Sequence, residues 1–158
     1  MVQFLRPFPI VERYHQNRAY QHGTLYQFGT EDSNLSKMAV IAIVDDDESF
    51  RRATTSFVRS LGYGTAAFDS AEAFLKSERV NDADCLITDV QMPGMTGIEL
   101  QGRLLQEGHS LPVIFITAFP EMKARAQAIA AGAIGFLAKP FDDKGLIACL
   151  DEALARSA

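Results

Sequence analysis

Acids, a hydroxyl and an amine stand where apolar runs of this chain stop. Residues 39–44 are followed by Asp45-Asp46-Asp47, residues 84–88 by Asp89, Val113–Ile116 by Thr117, and residues 133–138 by Lys139-Pro140. Taken singly each has a plain structural reading, since an acid after a strand commonly caps a helix and Lys-Pro commonly forms a solvated turn. Taken together, and brought to one edge of one sheet, they make a different object. Asp45, Asp46 and Asp89 within several ångströms would repel strongly without a counter-ion. A divalent cation resolves that crowding. Oxygen ligands, few in number and without a twelve-residue calcium loop, point to Mg2+ that keeps several waters, the kind of site that works with a phosphoryl group.

The elements that must position these residues follow from periodicity. Residues 39–44 form an apolar strand. Residues 49–61 place Phe50, Ala53, Phe57 and Leu61 at helical spacing before Gly62 stops them. A weaker strand covers 63–68, and Ser70 is an N-cap for a helix through Ala73, Phe74 and Leu75. The third strand is 84–88, followed by a turn-rich segment at 91–97 and a helix over 98–107. Pro112 introduces the most apolar strand, Val113–Thr117; an Ala-rich helix at 121–131 ends at Gly132; a fifth strand at 133–138 and a helix at 142–156 complete the pattern. Five strand-helix units at this repeat suit right-handed crossovers in a parallel sheet covered on both faces, and in such sheets ligands bind beyond the strands' carboxyl ends.

Composition sets the surroundings. The 158 residues are 47% apolar and 22% charged, with 15 basic and 20 acidic side chains for a net charge of −5 and no block of Lys and Arg, so a direct grip on DNA is not expected. No apolar run approaches the roughly 20 residues that cross a bilayer. Cys85 and Cys149 lie in apolar stretches and are read as reduced, buried thiols of a cytoplasmic protein. Residues 1–37 differ from the rest: Pro7, Pro9, Gly23 and Gly29 interrupt every candidate helix, and Tyr14, Tyr20 and Tyr26 gather there. We expect a disordered leader, read either as an over-extended start ahead of Met38 or as an arm that docks a partner through its aromatics. The compact domain is 38–158, with 11 basic and 17 acidic side chains and net charge −6.

Over about residues 38–155 the chain resembles the receiver domains of bacterial two-component response regulators. The specific element is Leu-Ile-Thr-Asp-Val-Gln-Met-Pro-Gly-Met-Thr-Gly at 86–97, similar to that family's phosphoacceptor strand and the turn after it; Asp45-Asp46, Thr117-Ala118 and Lys139-Pro140-Phe141 follow the family's order and spacing. The resemblance implies an α/β, flavodoxin-like (βα)5 three-layer sandwich with a parallel five-stranded sheet of order 2-1-3-4-5. It implies that Asp89 accepts a phosphoryl group from phosphohistidine on a sensor histidine kinase or histidine phosphotransfer protein. Asp46, Asp89 and the Gln91 carbonyl would ligate Mg2+, Asp45 would hold one of its waters, and Lys139 would pair with the phosphoryl group. Asp47 is a further acid whose other role is to cap the first helix. Thr117 and Phe136 resemble the family's switch pair, with output through the face of the fourth helix, fifth strand and fifth helix (α4-β5-α5). Met92, Pro93 and Gly94 shape the turn. Gln91 and Phe119 stand at variable positions that tune phosphate lifetime.

The chain runs only 19 residues beyond Lys139. Runs at 70–75 and 135–141 are similar to receivers fused to a helix-turn-helix effector, so the chain is read as a receiver that stands alone or was cut; the expected output is contact with a downstream protein target, including a phosphorylation-dependent dimer, and the protein is read as a phosphoacceptor rather than an enzyme. The competing reading is a Mg2+-dependent phosphatase with an aspartyl nucleophile, but that class wants a second acid two residues beyond the nucleophile, where Gln91 stands. A flavin module wants a Ser, Thr and Gly-rich loop after the first strand, where this chain has acids. A nucleotide-binding P-loop is excluded by the lack of Gly-x-x-x-x-Gly-Lys.

Overall fold

The structure, a computed structural model, describes residues 37–157. The expectations for the leader fall on residues 1–36, outside the described residues, apart from Lys37. Five strands, β1 (Val40–Val44), β2 (Gly64–Phe68), β3 (Cys85–Thr88), β4 (Val113–Thr117) and β5 (Gly135–Ala138), pair in parallel in the order β2-β1-β3-β4-β5. Five helices connect and cover them: α1 (Glu48–Ser60), α2 (Ala71–Lys76), α3 (Gly97–Gln106), α4 (Met122–Ala130) and α5 (Asp143–Arg156). A single helical turn, Arg79–Asp82, which periodicity did not reveal, sits between α2 and β3.

Alternation along the central strands divides the core between the two faces of the sheet. Ala42, Val44, Leu86 and Phe115 pack with Phe74 of α2, Leu100 and Leu104 of α3 and Ala128 of α4. Ile41, Ile43, Ile87, Ile114 and Ile116 pack with Val58 of α1 and Leu146 and Leu150 of α5. Two helices therefore cover one face and three the other, which is the three-layer sandwich. Because β1, β3 and β4 are covered on both sides, they read as apolar runs, broken only by the buried Thr88 and Thr117 at the ends of β3 and β4.

Local chemistry agrees with this arrangement at the helix starts. Ser70 Oγ accepts the Ala73 N–H at 3.1 Å, Asp142 Oδ2 accepts the Gly145 N–H at 3.2 Å, and Asp47 Oδ1 accepts the Phe50 N–H at 3.0 Å. Thr96 and Glu99 form a reciprocal capping box at the start of α3, and the backbone N–H of Thr96 holds the exposed Glu99 carboxyl below its ordinary range. Asp47 is thus a cap. Cys85 and Cys149 are both free; burial pushes both thiols up, and Cys149 is only half-buried rather than buried. No helix among the described residues is long and apolar enough to cross a membrane.

Candidate functional site

Parallel pairing brings the carboxyl ends of β1, β3, β4 and β5 to one edge, and the polar residues that follow them gather there. Carboxylate oxygens of Asp45, Asp46 and Asp89 lie within 4.8 Å of one another. Asp45 and Asp89 are buried, and Asp46 is exposed at the mouth. At about 5 Å and an effective dielectric of about 20, a pair of carboxylates repels by roughly 3 kcal/mol, so the arrangement needs positive charge.

Lys139 supplies part of it. Its Nζ donates to Asp45 Oδ2 and to Asp89 Oδ2, each at 2.7 Å. The ammonium also lies 4.1 Å from the centre of the Phe50 ring, a cation–π contact that the first turn of α1 contributes. Burial alone would favour neutral amine, but the hydrogen bonds and charges of Asp45 and Asp89 outweigh it and raise Lys139 above the ordinary lysine range. Burial pushes the Asp45 carboxyl up from the ordinary aspartate range, against the bonds from Lys139 and from the Asp47 N–H, which Asp45 Oδ1 accepts at 2.9 Å.

The backbone around Asp89 is tightly held. Its N–H donates to the Val44 carbonyl at 3.1 Å, its Oδ1 accepts the Gln91 N–H at 3.1 Å, and its carbonyl accepts Thr88 Oγ1 at 3.0 Å. Gly97 opens α3 directly against that carbonyl: a Cβ there would stand 1.9 Å from the Asp89 oxygen. The segment from Gln91 to Thr96 therefore loops out and returns to pack its helix under the acid.

Thr117 is fully buried at the end of β4; its hydroxyl accepts the Phe119 N–H at 3.3 Å and its carbonyl accepts the Lys139 N–H at 2.8 Å. The peptide between Lys139 and Pro140 is cis. Phe136 lies in register with Phe115 across the β4–β5 pair, ring centres 5.8 Å apart, in the core below the edge.

Of the residues singled out in the sequence, Asp45, Asp46, Asp89 and Lys139 come together, with the Gln91 backbone bonded to Asp89. Thr117 joins them through the Lys139 backbone. Phe136 stays with the core. The sequence reading places Phe50 only at helical spacing and does not use Arg51, whose guanidinium donates to the Asp45 carbonyl at 2.6 Å. A cation in the helix turn following three acids was the available signal for Arg51.

Residues 41–151 match the model of the response regulator receiver domain. The chain belongs to that family. The receiver is 40% identical over 128 residues to the response regulator protein TmoT of Ectopseudomonas mendocina, covering 81% of this chain and 58% of TmoT. It is 33% identical over 117 residues to the transcriptional regulatory protein FixJ of Bradyrhizobium diazoefficiens, covering 74% of this chain and 57% of FixJ. It thus spans under two thirds of the length of these relatives. Among solved structures, the response regulator StyR superposes with a TM-score of 0.71 at 38% identity, over 76% of this chain and 61% of StyR. FixJ-N superposes with a TM-score of 0.67 at 33% identity, over 74% of this chain and 94% of that one. The sheet order is accordingly the flavodoxin-like order of receivers, and the family places the protein in phosphorylation-dependent two-component signalling.

Proposed function

We propose that this receiver takes a phosphoryl group from phosphohistidine, on a sensor histidine kinase or histidine phosphotransfer protein, onto Asp89. The observation that supports it is the meeting of three carboxylates within 4.8 Å with an ammonium bonded to two of them. An Asp89 carboxylate oxygen attacks phosphorus, the phosphorus–nitrogen bond of the donor breaks, and the imidazole leaves with the bonding pair and takes up a proton. The hard, all-oxygen donor set of Asp45, Asp46, Asp89 and the Gln91 carbonyl fits Mg2+, which when bound neutralises charge on the transferring oxygens. Lys139, already within 2.7 Å of Asp89, is placed to pair with the transferred group as a preorganised point charge.

The Thr117 hydroxyl is the group to bond a phosphoryl oxygen, and Phe136 the aromatic to follow it, with output through α4, β5 and α5 to a protein target or a second receiver. With residues 38–158 at net −6, the receiver itself is read as touching protein rather than DNA, as acting in the cytoplasm, and as a phosphoacceptor rather than an enzyme. Incubation with acetyl phosphate and Mg2+ should add one phosphoryl mass to the intact protein, and chelation should prevent it. Absence of that mass under both conditions would overturn the reading.

Two further outcomes separate the roles. Asp46→Ala should weaken Mg2+ binding by about tenfold or more, as loss of one charged ligand does, while Lys139→Ala should keep metal binding and lose the switch. Calorimetric Mg2+ titration of both variants checks this, and equal behaviour would remove the division of labour. Acid should also act early: burial raises the Asp45 carboxyl above the ordinary aspartate range, so as pH falls it takes up its proton before an ordinary aspartate would, and Mg2+ affinity should fall sooner than in Asp45→Asn. Mg2+ titrations of both proteins over a series of falling pH values measure the difference.

A further inference from the structure

The loop that carries Gln91 is fastened by its own neighbours at both ends. At one end the Gln91 N–H donates to Asp89 Oδ1; at the other the Thr96–Glu99 capping box and the bond from Gly97 N–H to the Val90 carbonyl, 2.8 Å, fix the start of α3. Between those ends a different element reaches in. Glu72, half-buried in the first turn of α2, accepts the Met95 N–H on its Oε1 at 2.8 Å, across 23 residues of sequence. The loop is shaped around that carboxylate. A Cβ at Gly94 would stand 2.6 Å from Glu72 Oε1, and Gly94 has a φ of +77°, so the acid occupies the space that a side chain at 94 would need. α2 is itself a firm base, because Ala71 and Phe74 are fully buried and Phe74 packs edge-on to Phe68 at 5.4 Å.

An acid in a helix's first turn has an ordinary use beside the helix dipole. That use needs no partner in a distant loop and no glycine to make room for it. We propose that Glu72 is a positioning residue: its bond to Met95 sets where the Gln91 carbonyl stands beside Asp89 and so tunes affinity for the divalent cation, an inference that rests on the cation site read above. Outer contacts that orient a ligand typically change metal affinity by about ten- to a hundredfold when removed, and a tie to a backbone ligand belongs at the lower end of that range.

The test is calorimetric Mg2+ titration of the full chain beside Mg2+ titration of acetyl phosphate labelling read by intact mass, with far-ultraviolet circular dichroism to confirm that each variant is folded. Glu72→Ala should raise the half-saturating Mg2+ concentration by about tenfold while labelling at saturation reaches the wild-type extent. Glu72→Gln, which keeps a carbonyl oxygen at the same reach, should restore the wild-type value. Gly94→Ala, which displaces the carboxylate from the other side, should move the titration in the same direction as Glu72→Ala and serves if Glu72→Ala does not fold. Wild-type titrations in Glu72→Ala and Gly94→Ala would overturn the inference and leave the phosphoacceptor reading intact, as would Glu72→Gln behaving like Glu72→Ala. Wild-type protein that takes no label in Mg2+ would overturn both.

Discussion

Asp89→Asn protein incubated with acetyl phosphate and Mg2+ should gain no phosphoryl mass, where wild type gains one group. The substitution is close to isosteric, and the amide oxygen can still accept the Gln91 N–H that Asp89 Oδ1 accepts at 3.1 Å. The backbone bonds from Asp89 N–H to Val44 and from Thr88 Oγ1 to the Asp89 carbonyl do not involve the side chain at all. The fold should therefore persist while the nucleophile disappears, because a neutral amide neither attacks phosphorus nor forms the acyl phosphate. One negative charge also leaves a site where another acid, Asp45, is buried beside it, and Lys139 loses a charged partner at 2.7 Å. Intact-mass measurement reads the outcome directly. Label persisting in a folded Asp89→Asn protein would move the acceptor to another residue and sink the assignment.

Gly97→Ala should be the most damaging added methyl among the described glycines. Its Cβ would meet the Asp89 carbonyl oxygen at 1.9 Å and the edge of the Phe115 ring at 3.1 Å. The ring is fully buried and the carbonyl is backbone, so neither yields cheaply. Either α3 retreats, breaking the bond from Gly97 N–H to Val90, or Asp89 is pushed out of place. Overpacking of this kind costs about 1–3 kcal/mol, and here the displaced group is the proposed acceptor, so labelling should fall together with stability. Gly102 is the control within the same helix: nothing stands within 4 Å of its Cβ position, and Gly102→Ala should stabilise by roughly 0.5–1 kcal/mol through helix propensity. Urea unfolding of the two variants beside acetyl phosphate labelling checks both signs. A Gly97→Ala protein as stable as wild type would mean that α3 and Asp89 are not packed as described.

The two variants differ in how they could be foreseen. Asp89 could be singled out in the sequence only jointly: alone it reads as one more acid after a strand, but with Asp45, Asp46 and Lys139 at other strand ends, and in a segment, 86–97, resembling a receiver's phosphoacceptor strand, it stands out. Gly97 in the sequence is one more glycine at a helix start. Its role depends on the approach of α3 to the carbonyl of a residue eight positions earlier, and no local pattern encodes that distance.

The same division runs through the molecule. Periodicity determined the elements, because burial on one helix face or on both sides of a central strand leaves a repeating mark in the chain; the strand Val113–Thr117 and the caps Ser70 and Asp142 stand where that mark puts them. Type and order of the polar residues at strand ends pointed to the side chains that the sheet edge brings together, Asp45, Asp46, Asp89 and Lys139. Partnership was decided only in three dimensions. Lys139 bridges both buried acids rather than Asp89 alone, Phe50 lies against its ammonium, Arg51 reaches the Asp45 carbonyl, and Glu72 ties down a loop 23 residues away. Contacts between residues far apart in sequence depend on how twisted strands and packed helices aim their side chains, and that aim is a property of the assembled sheet rather than of any segment.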